Sequence, residues 1–587
     1  MAIKIRMISI VVLLAWLMLG CGGGGTGGVS PEFTGQAPRT AGEAYNSIGN
    51  SPLTVSAAQG LLVNDNLMGA QLTPFNAGTS QGGAVSVNAD GSFVYNPPPG
   101  FTGTDAFAYT VANPAGQSRS TVTITLSQLA FYVNNTAPAG GNGTLASPFN
   151  TLAQAVAAAD PGDVLFVFRG DGTPSGLTGA VALQDGQSLI GEGIGFNFNN
   201  GVNPRDDILG HQIVAPGQPP VLTGPVLLAD NNLVGGLILE GSGGSAILGD
   251  GIQNATIDRN ELLDYSLTGI DLTNATGTLN LTDNVIRASD GPDGVVLSND
   301  GVNAIVNLVG NTFADGDTAD PGRAIALRGL NGSQLTATVS DNELTSPDFA
   351  AGWDTGIEMD LQATSTLAVR GNQLGDVQGR GISIVVAAAA AVGGAVENNQ
   401  LENTGQEAIF LEFSQDSATA AFSLSGNAAA GSPGISLRAR DQSTARLTVN
   451  ANTVTDPPGP GLVLGTTQTA NLVAVLSNNT VSGGLGGISG TTDDTSSLQV
   501  ALRTNLLGGQ TNEDALFSSL ADSAMCLDIT GNTMDELVLQ QSPPSTMNVE
   551  RLDAATGGPL ETVNTVAAGG VVIGGAPSPQ PAGFCQL

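Results

Sequence analysis

Five short stretches hold the residues of this chain best suited to chemistry: "AIALRG", "GIEMDL", "GISIVV", "AIFLEF" and "GISLRAR". Three residues after the isoleucine of each stands Arg328, Asp360, Val385, Glu412 or Arg438, with Glu358 two before Asp360 and Arg440 two after Arg438. Two carboxylates on one surface can divide the acid and base roles of glycosidic-bond cleavage, with arginine as the stabilising charge. Opposite charges exposed on adjacent strands also form solvated pairs of small energetic value. Which reading applies depends on the elements that carry these residues.

The five isoleucines belong to a longer series: Ile270, Val295, Ile325, Ile357, Ile382, Ile409, Ile435, Leu462 and Ile488. Between them runs a second series of Asn-x-apolar tripeptides, at Asn260, Asn284, Asn311, Asn342, Asn372, Asn399, Asn427, Asn452, Asn479, Asn505 and Asn532. Its intervals run from 24 to 31 residues and centre on 27. Two interleaved ladders with one period describe a solenoid. No 3.6-periodic segment lies between Ile252 and Met534, so the coil consists of short strands, as in a parallel β-helix. Each coil then places one residue per level on every face, about 4.8 Å from the next. The charged residues would form a patch on consecutive coils, with Arg328 beside Asp360 and Glu412 beside Arg438. Asn suits the bend between strands because it tolerates a left-handed backbone, and stacked amides can hydrogen-bond up the column.

Composition agrees with an all-β chain. Among 587 residues there are 82 Gly and 30 Pro, and only 12% are charged, which suits short strands and many turns. The net charge of −34 disfavours nucleic acid as a partner. Lys4 is the only lysine, which excludes lysine-based catalysis after the N-terminus. His211 is the only histidine, which excludes a multi-histidine metal centre.

The N-terminus is a targeting segment, with Lys4 and Arg6 before the apolar "ISIVVLLAWLML". It ends in "LMLGC", which resembles the bacterial lipoprotein signal. That resemblance implies a signal peptide over residues 1–20, acylation of Cys21, and export to an outer membrane or cell surface with membrane as partner through the lipid. Residues 21–43 form a Gly-rich tether. Cys526 and Cys585 remain, and an isolated pair in an exported protein reads as a disulfide.

Residues 44–127 alternate apolar and polar positions between Asp-Gly and Pro-Gly turns. The motifs "GLLVNDN", "NADGSFVYNP" and "GFTGTDAFAYTV" resemble bacterial cadherin-like and immunoglobulin-like domains, implying a small β-sandwich that acts as a spacer. From residue 128, the order strand "LAFYV", helix "NTLAQAVAAA", strand "VLFVF" resembles the entry of right-handed parallel β-helix proteins, whose helix covers the open stack end. The solenoid is expected over 128–540. After Leu539 the register is read as broken, and 541–587 as a terminal cap.

Right-handed β-helices include pectate lyases, polygalacturonases and related polysaccharide enzymes. The resemblance implies an outward sheet face bearing acidic residues and arginine, with Arg328, Glu358, Asp360, Glu412 and Arg438 as its candidates here. Neither the lyase nor the hydrolase motif is present in detail. The expected function is therefore non-catalytic adhesion or binding of an extended polymer, carbohydrate foremost. A polysaccharide lyase or hydrolase and a structural envelope role are the alternatives. No cofactor is required, although Asp315, Asp317 and Asp320 in "DGDTAD" could bind calcium through hard oxygens. "RGD" at Arg169 to Asp171 reads as a turn before a receptor ligand, and Trp353 could stack on a sugar or pack against a loop.

Overall fold

The computed structural model describes residues 35–198, 211–241, 243–287, 293–314, 322–345, 353–387, 391–415, 419–552, 560, 564–566 and 571–585. The leader, Cys21, and the calcium candidates Asp315, Asp317 and Asp320 lie outside them.

The N-terminal sandwich follows from its alternation. Phe93 and Tyr95 point inward from strand Phe93–Asn96, while Val94 and Asn96 are more exposed. Phe93 meets Tyr45 edge-on at 5.1 Å between ring centroids. One four-stranded sheet contains Leu53–Val55, Phe75–Gly78, Ala84–Val87 and Phe93–Asn96. Facing it, Glu43–Gly49 runs parallel to Gly116–Val133, and Gly103–Asn113 runs antiparallel to the same strand. Under the core lies Asp105, fully buried, accepting hydrogen bonds from Ser80 Oγ at 2.9 Å, Gln81 N at 2.8 Å and Tyr95 OH at 2.8 Å, and also from Thr79. Burial alone would raise this carboxyl, but those hydrogen bonds outweigh it and hold the group below its ordinary value.

Gly116–Val133 does not end with the sandwich. Ala130–Val133 pairs in parallel with Val164–Val167, the next strand of the solenoid. The boundary between residues 127 and 128 thus falls inside one continuous strand. Ile48 of the sandwich packs with Tyr132, Phe166 and Phe196, and Ser51 Oγ lies 2.5 Å from Tyr132 OH.

Beyond this junction the chain winds through three parallel sheets. Per coil they hold a long strand (Thr444–Asn450, for example), a three-residue strand (Thr453–Thr455) and a strand starting at or near the isoleucine ladder (Pro460–Thr466). Among the described residues the latter two sheets have 14 and 15 strands. Helix Leu152–Ala158 lies over the first coils, burying Leu152 and Ala155. The isoleucine ladder is a column of the register, with Ile325, Ile357, Ile382, Ile409 and Ile435 in successive pairings and all buried. Each such side chain contributes about 1.5–3 kcal/mol of hydrophobic stabilisation.

The asparagines form a buried column. From Asn284 onward each ladder Oδ1 accepts both the backbone N–H and the Nδ2 of the asparagine one coil earlier, while Asn260 Oδ1 accepts Leu237 N; Asn372 N and Nδ2 lie 3.1 and 2.9 Å from Asn399 Oδ1. The bend differs from the expectation in one respect. The left-handed residue is the one before the ladder asparagine, as at Asp341 (φ 57°), Asn398 (φ 55°) and Thr504 (φ 56°). The ladder amide is therefore retained for its side-chain hydrogen bonds, which satisfy buried backbone groups in the turn.

Parallel pairing also continues past Leu539. Leu537–Gln541 pairs with Val571–Gly574 and Thr546–Glu550 with Ser578–Gln580. The final winding is a longer coil in register, and Cys526 and Cys585 are joined across it by a 2.01 Å S–S bond.

Candidate functional site

The outward face of the isoleucine sheet carries two columns. One runs Ser298, Arg328, Asp360, Val385, Glu412, Arg438, Gly465. The other, two residues earlier on each strand, runs Ala326, Glu358, Ser383, Phe410, Ser436, Val463. The five candidates thus share one face, but their partners are not the column neighbours. Arg323, at the strand's leading edge, chelates Asp293 through Nε at 2.9 Å and Nη2 at 2.7 Å, and gives Nη1 to Glu358 Oε1 at 3.0 Å. Arg328 faces the same Glu358 oxygen at 3.6 Å. Glu412, only 8% exposed, is hydrogen-bonded to Arg440. Arg438 turns away from Glu412 and gives Nη2 to Glu407 Oε1 at 3.2 Å.

Glu407 was not legible from the ladders because it stands in the turn before its strand. Arg380, in the preceding turn, gives Nε to Glu407 Oε2 at 3.0 Å. Its guanidinium lies over the Phe410 ring, 3.5 Å from the centroid, and that of Arg438 approaches the same ring at 5.3 Å. Phe410 lies within the "AIFLEF" stretch and is nearly buried under the two cations.

Asp360 is the exception. Among the described residues it has no hydrogen-bond or ion-pair partner, and burial raises its carboxyl above the ordinary value. A carboxyl so placed holds a proton more readily than one in open water.

Two clefts follow the leading edge of this face. One, of about 420 Å³, is lined by Arg380, Glu407, Pro433, Arg438, Pro460 and Val463 among others. The second, of about 230 Å³, is lined by Pro460, Leu485, Ser489, Asn512, Glu513 and Leu516 among others. They share Gly459 and Pro460, so together they run across six consecutive coils, about 24 Å at the inter-strand spacing.

Residues 35–128 match the bacterial cadherin-like domain, and residues 245–428 match the right handed beta helix region. The chain carries a bacterial cadherin-like domain followed by a right-handed β-helix. No curated protein matches it in sequence. Among solved structures it is similar to a Yersinia enterocolitica Family 28 exopolygalacturonase, at 14% identity and a TM-score of 0.29, with 82% of this chain and 85% of that one covered. It is also similar to the GH136 lacto-N-biosidase from Eubacterium ramulus, at 11% identity and a TM-score of 0.26, with 77% and 68% covered. Likenesses this distant say nothing about activity.

Other candidates on the β-helix resolve differently. Trp353 is 2% exposed and packs edge-on against Phe313 at 6.2 Å, so its ring is not offered to a ligand. Asp171 of the RGD turn accepts Thr173 N at 2.9 Å, Thr173 Oγ1 at 2.8 Å and Asn135 Nδ2 at 2.7 Å, which hold its carboxyl below the ordinary value and tie it into the turn. Among the described residues no group of three or more His, Cys, Asp or Glu could hold a metal ion, and no helix is long and apolar enough to cross a membrane.

Proposed function

We propose that the β-helix binds an extended polymer, carbohydrate foremost, along the outward face of the isoleucine sheet and does not cleave it. The observation that carries this reading is the cleft shared across six coils, in which Glu407 is committed to two arginines, while Glu358 and Glu412 elsewhere on the same sheet face are each held by arginine. A long shallow track with hydroxyl, apolar and charged positions suits a chain of repeating units better than a compact substrate. The "LMLGC" signal supports the accompanying proposal that Cys21 is acylated and holds the protein at an outer membrane or cell surface. The cadherin-like domain would then be the spacer.

A second reading, a polysaccharide lyase or hydrolase, is favoured by one observation, Asp360, which has no partner among the described residues and whose carboxyl burial raises above its ordinary value. One experiment separates the two: incubation with a panel of acidic and neutral polysaccharides, with and without calcium, scored for retention and for unsaturated or reducing ends. The binding reading expects retention without product. Product formation abolished by Asp360→Ala would overturn it, and absence of retention on every polymer would leave the structural envelope role.

A further inference from the structure

The last described segment of the chain lies on the outward face of the long-strand sheet, a different sheet from the one that carries the isoleucine ladder. Met525, Leu527 and Ile529 turn into the core there, so Cys526 points outward, and it is bonded to Cys585 of that segment. Gln499, Cys526 and Asn548 are successive rungs of one outward column, which sets the two amide-bearing residues about 10 Å apart. Further contacts fix the tail over this column. Glu550, 1% exposed, accepts Gly583 N and Cys585 N at 2.8 Å each, and Gln580 gives Nε2 to Asn548 Oδ1 at 3.1 Å. Tail and sheet together enclose a cavity of about 390 Å³, lined by Ser497, Gln499, Cys526, Asn548, Phe584 and Cys585 among others.

No residue lining this cavity is charged, in a chain of net charge −34. An anion would meet the field of the whole chain with nothing local to offset it, and any ion entering would shed water without gaining a counter-charge. What the cavity offers is an aromatic wall and unused amides. Phe584 is 48% exposed, although its neighbours Gly583 and Cys585 are both tied to Glu550, so its backbone is held while its ring stays open to solvent. Neither end of the Gln499 amide nor Nδ2 of Asn548 has a partner among the described residues. An amide both donates and accepts hydrogen bonds, as a hydroxyl does, and the electron-rich face of a phenyl ring attracts the C–H face of a sugar. Groups already held by the fold lose little freedom when a ligand arrives.

We infer that this cavity is a binding site for a neutral sugar, and that it exists only while Cys526 and Cys585 are bonded. The site stands apart from the polymer track, being on another sheet and sharing none of the track's residues. The tail supplies Phe584 and Cys585, the sheet supplies Gln499 and Asn548, and the disulfide holds the two halves together. A ligand that touches both halves therefore opposes detachment of the tail, so bond and ligand stabilise each other by the same factor.

The test uses the full chain in calorimetry, with glucose, galactose and N-acetylglucosamine set against glucuronate and galacturonate. The best neutral sugar is expected to bind at least about tenfold tighter than either uronate. Phe584→Ala and Gln499→Ala should each weaken it about tenfold or more. Phe584 is half exposed, so its variant retains the fold, and a thermal melt verifies both. A dithiol reduces the disulfide to two thiols and is itself oxidised to a cyclic disulfide; this treatment, or Cys585→Ser, should abolish binding. Conversely, the sugar at about ten times its Kd should slow that reduction about tenfold, read by thiol labelling. A uronate bound as tightly as any neutral sugar overturns the ligand class. Binding unmoved by both Phe584→Ala and Gln499→Ala overturns the location. Binding that needs Phe584 yet survives reduction keeps the site and overturns its dependence on the bond. No binding of any probe overturns the site.

Discussion

Asn532 gives both its backbone N–H and its side-chain amide to Oδ1 of Asn564, at 2.9 Å each, across 32 residues. Asn564 is thus the twelfth rung of a column whose other intervals are 24 to 31 residues. The column is a chain of identical contacts, so its energetics can be tested rung by rung.

An interior rung should matter more than a terminal one. Asn399→Ala removes the acceptor for Asn372 N and Nδ2, and the donor to Val369 O and Asn427 Oδ1. Leaving several buried polar groups unpaired is expected to cost about 3–5 kcal/mol. Asn564→Ala removes as many bonds, as acceptor for Asn532 N and Nδ2 and donor to Ile529 O and Leu560 O, but at the end of the stack where fewer coils lean on it, so it should cost less. Urea unfolding midpoints of the two variants measure the difference.

The sandwich should be acid-sensitive through Asp105. Its folded carboxyl lies below the ordinary value, so the stabilisation is present above the unfolded-state value near 3.8 and is lost as pH falls through the folded one. Asp105→Asn is expected to destabilise the domain by about 2 kcal/mol at neutral pH and to flatten its stability below about pH 4. Thermal melts of the two proteins between pH 7 and pH 3 test both parts.

Asp360 has the opposite sign. Burial raises its folded value, so its contribution is most favourable below the unfolded-state value and is lost as pH rises through the folded one. Asp360→Asn should leave stability unchanged or raise it by less than about 1 kcal/mol at pH 7, with the gain vanishing by pH 3. A marked loss of stability would show that the ionised carboxylate is paired in solution.

The bond between Cys526 and Cys585 closes a 59-residue separation. Loop-closure entropy for that length is of order 4 kcal/mol, an upper bound because a solenoid frees its end without unfolding its middle. Reduction, or Cys585→Ser, is expected to make the segment after Gln541 protease-sensitive while the coils before it stay protected. Limited proteolysis with mass detection reads this directly.

What the sequence disclosed and what it hid divide along a physical line. Residues that recur once per coil, such as Ile357 and Asn399, were legible because every strand obeys the same register. The column holding Arg328, Asp360, Glu412 and Arg438 followed from them. Their ion-pair partners did not, since Arg323, Arg380 and Glu407 sit at strand edges and in turns whose lengths vary, and a long side chain reaches across columns. Asn564 was hidden in "TVNTV" although it repeats the tripeptide, because its coil is longer than the others. The left-handed residue before each ladder asparagine was also missed, since Asp, Asn, Gly, Ala and Thr all occupy that position.

The strand Gly116–Val133 has a mechanical meaning. Glu43–Gly49 lies parallel to it, and the same strand runs on into the solenoid. Tension applied ahead of residue 43 and resisted by the coils would pull these two neighbours lengthwise in opposite directions. Their hydrogen bonds would then have to rupture together rather than unzip in sequence, so the connection between the two domains is built to resist a sustained tug.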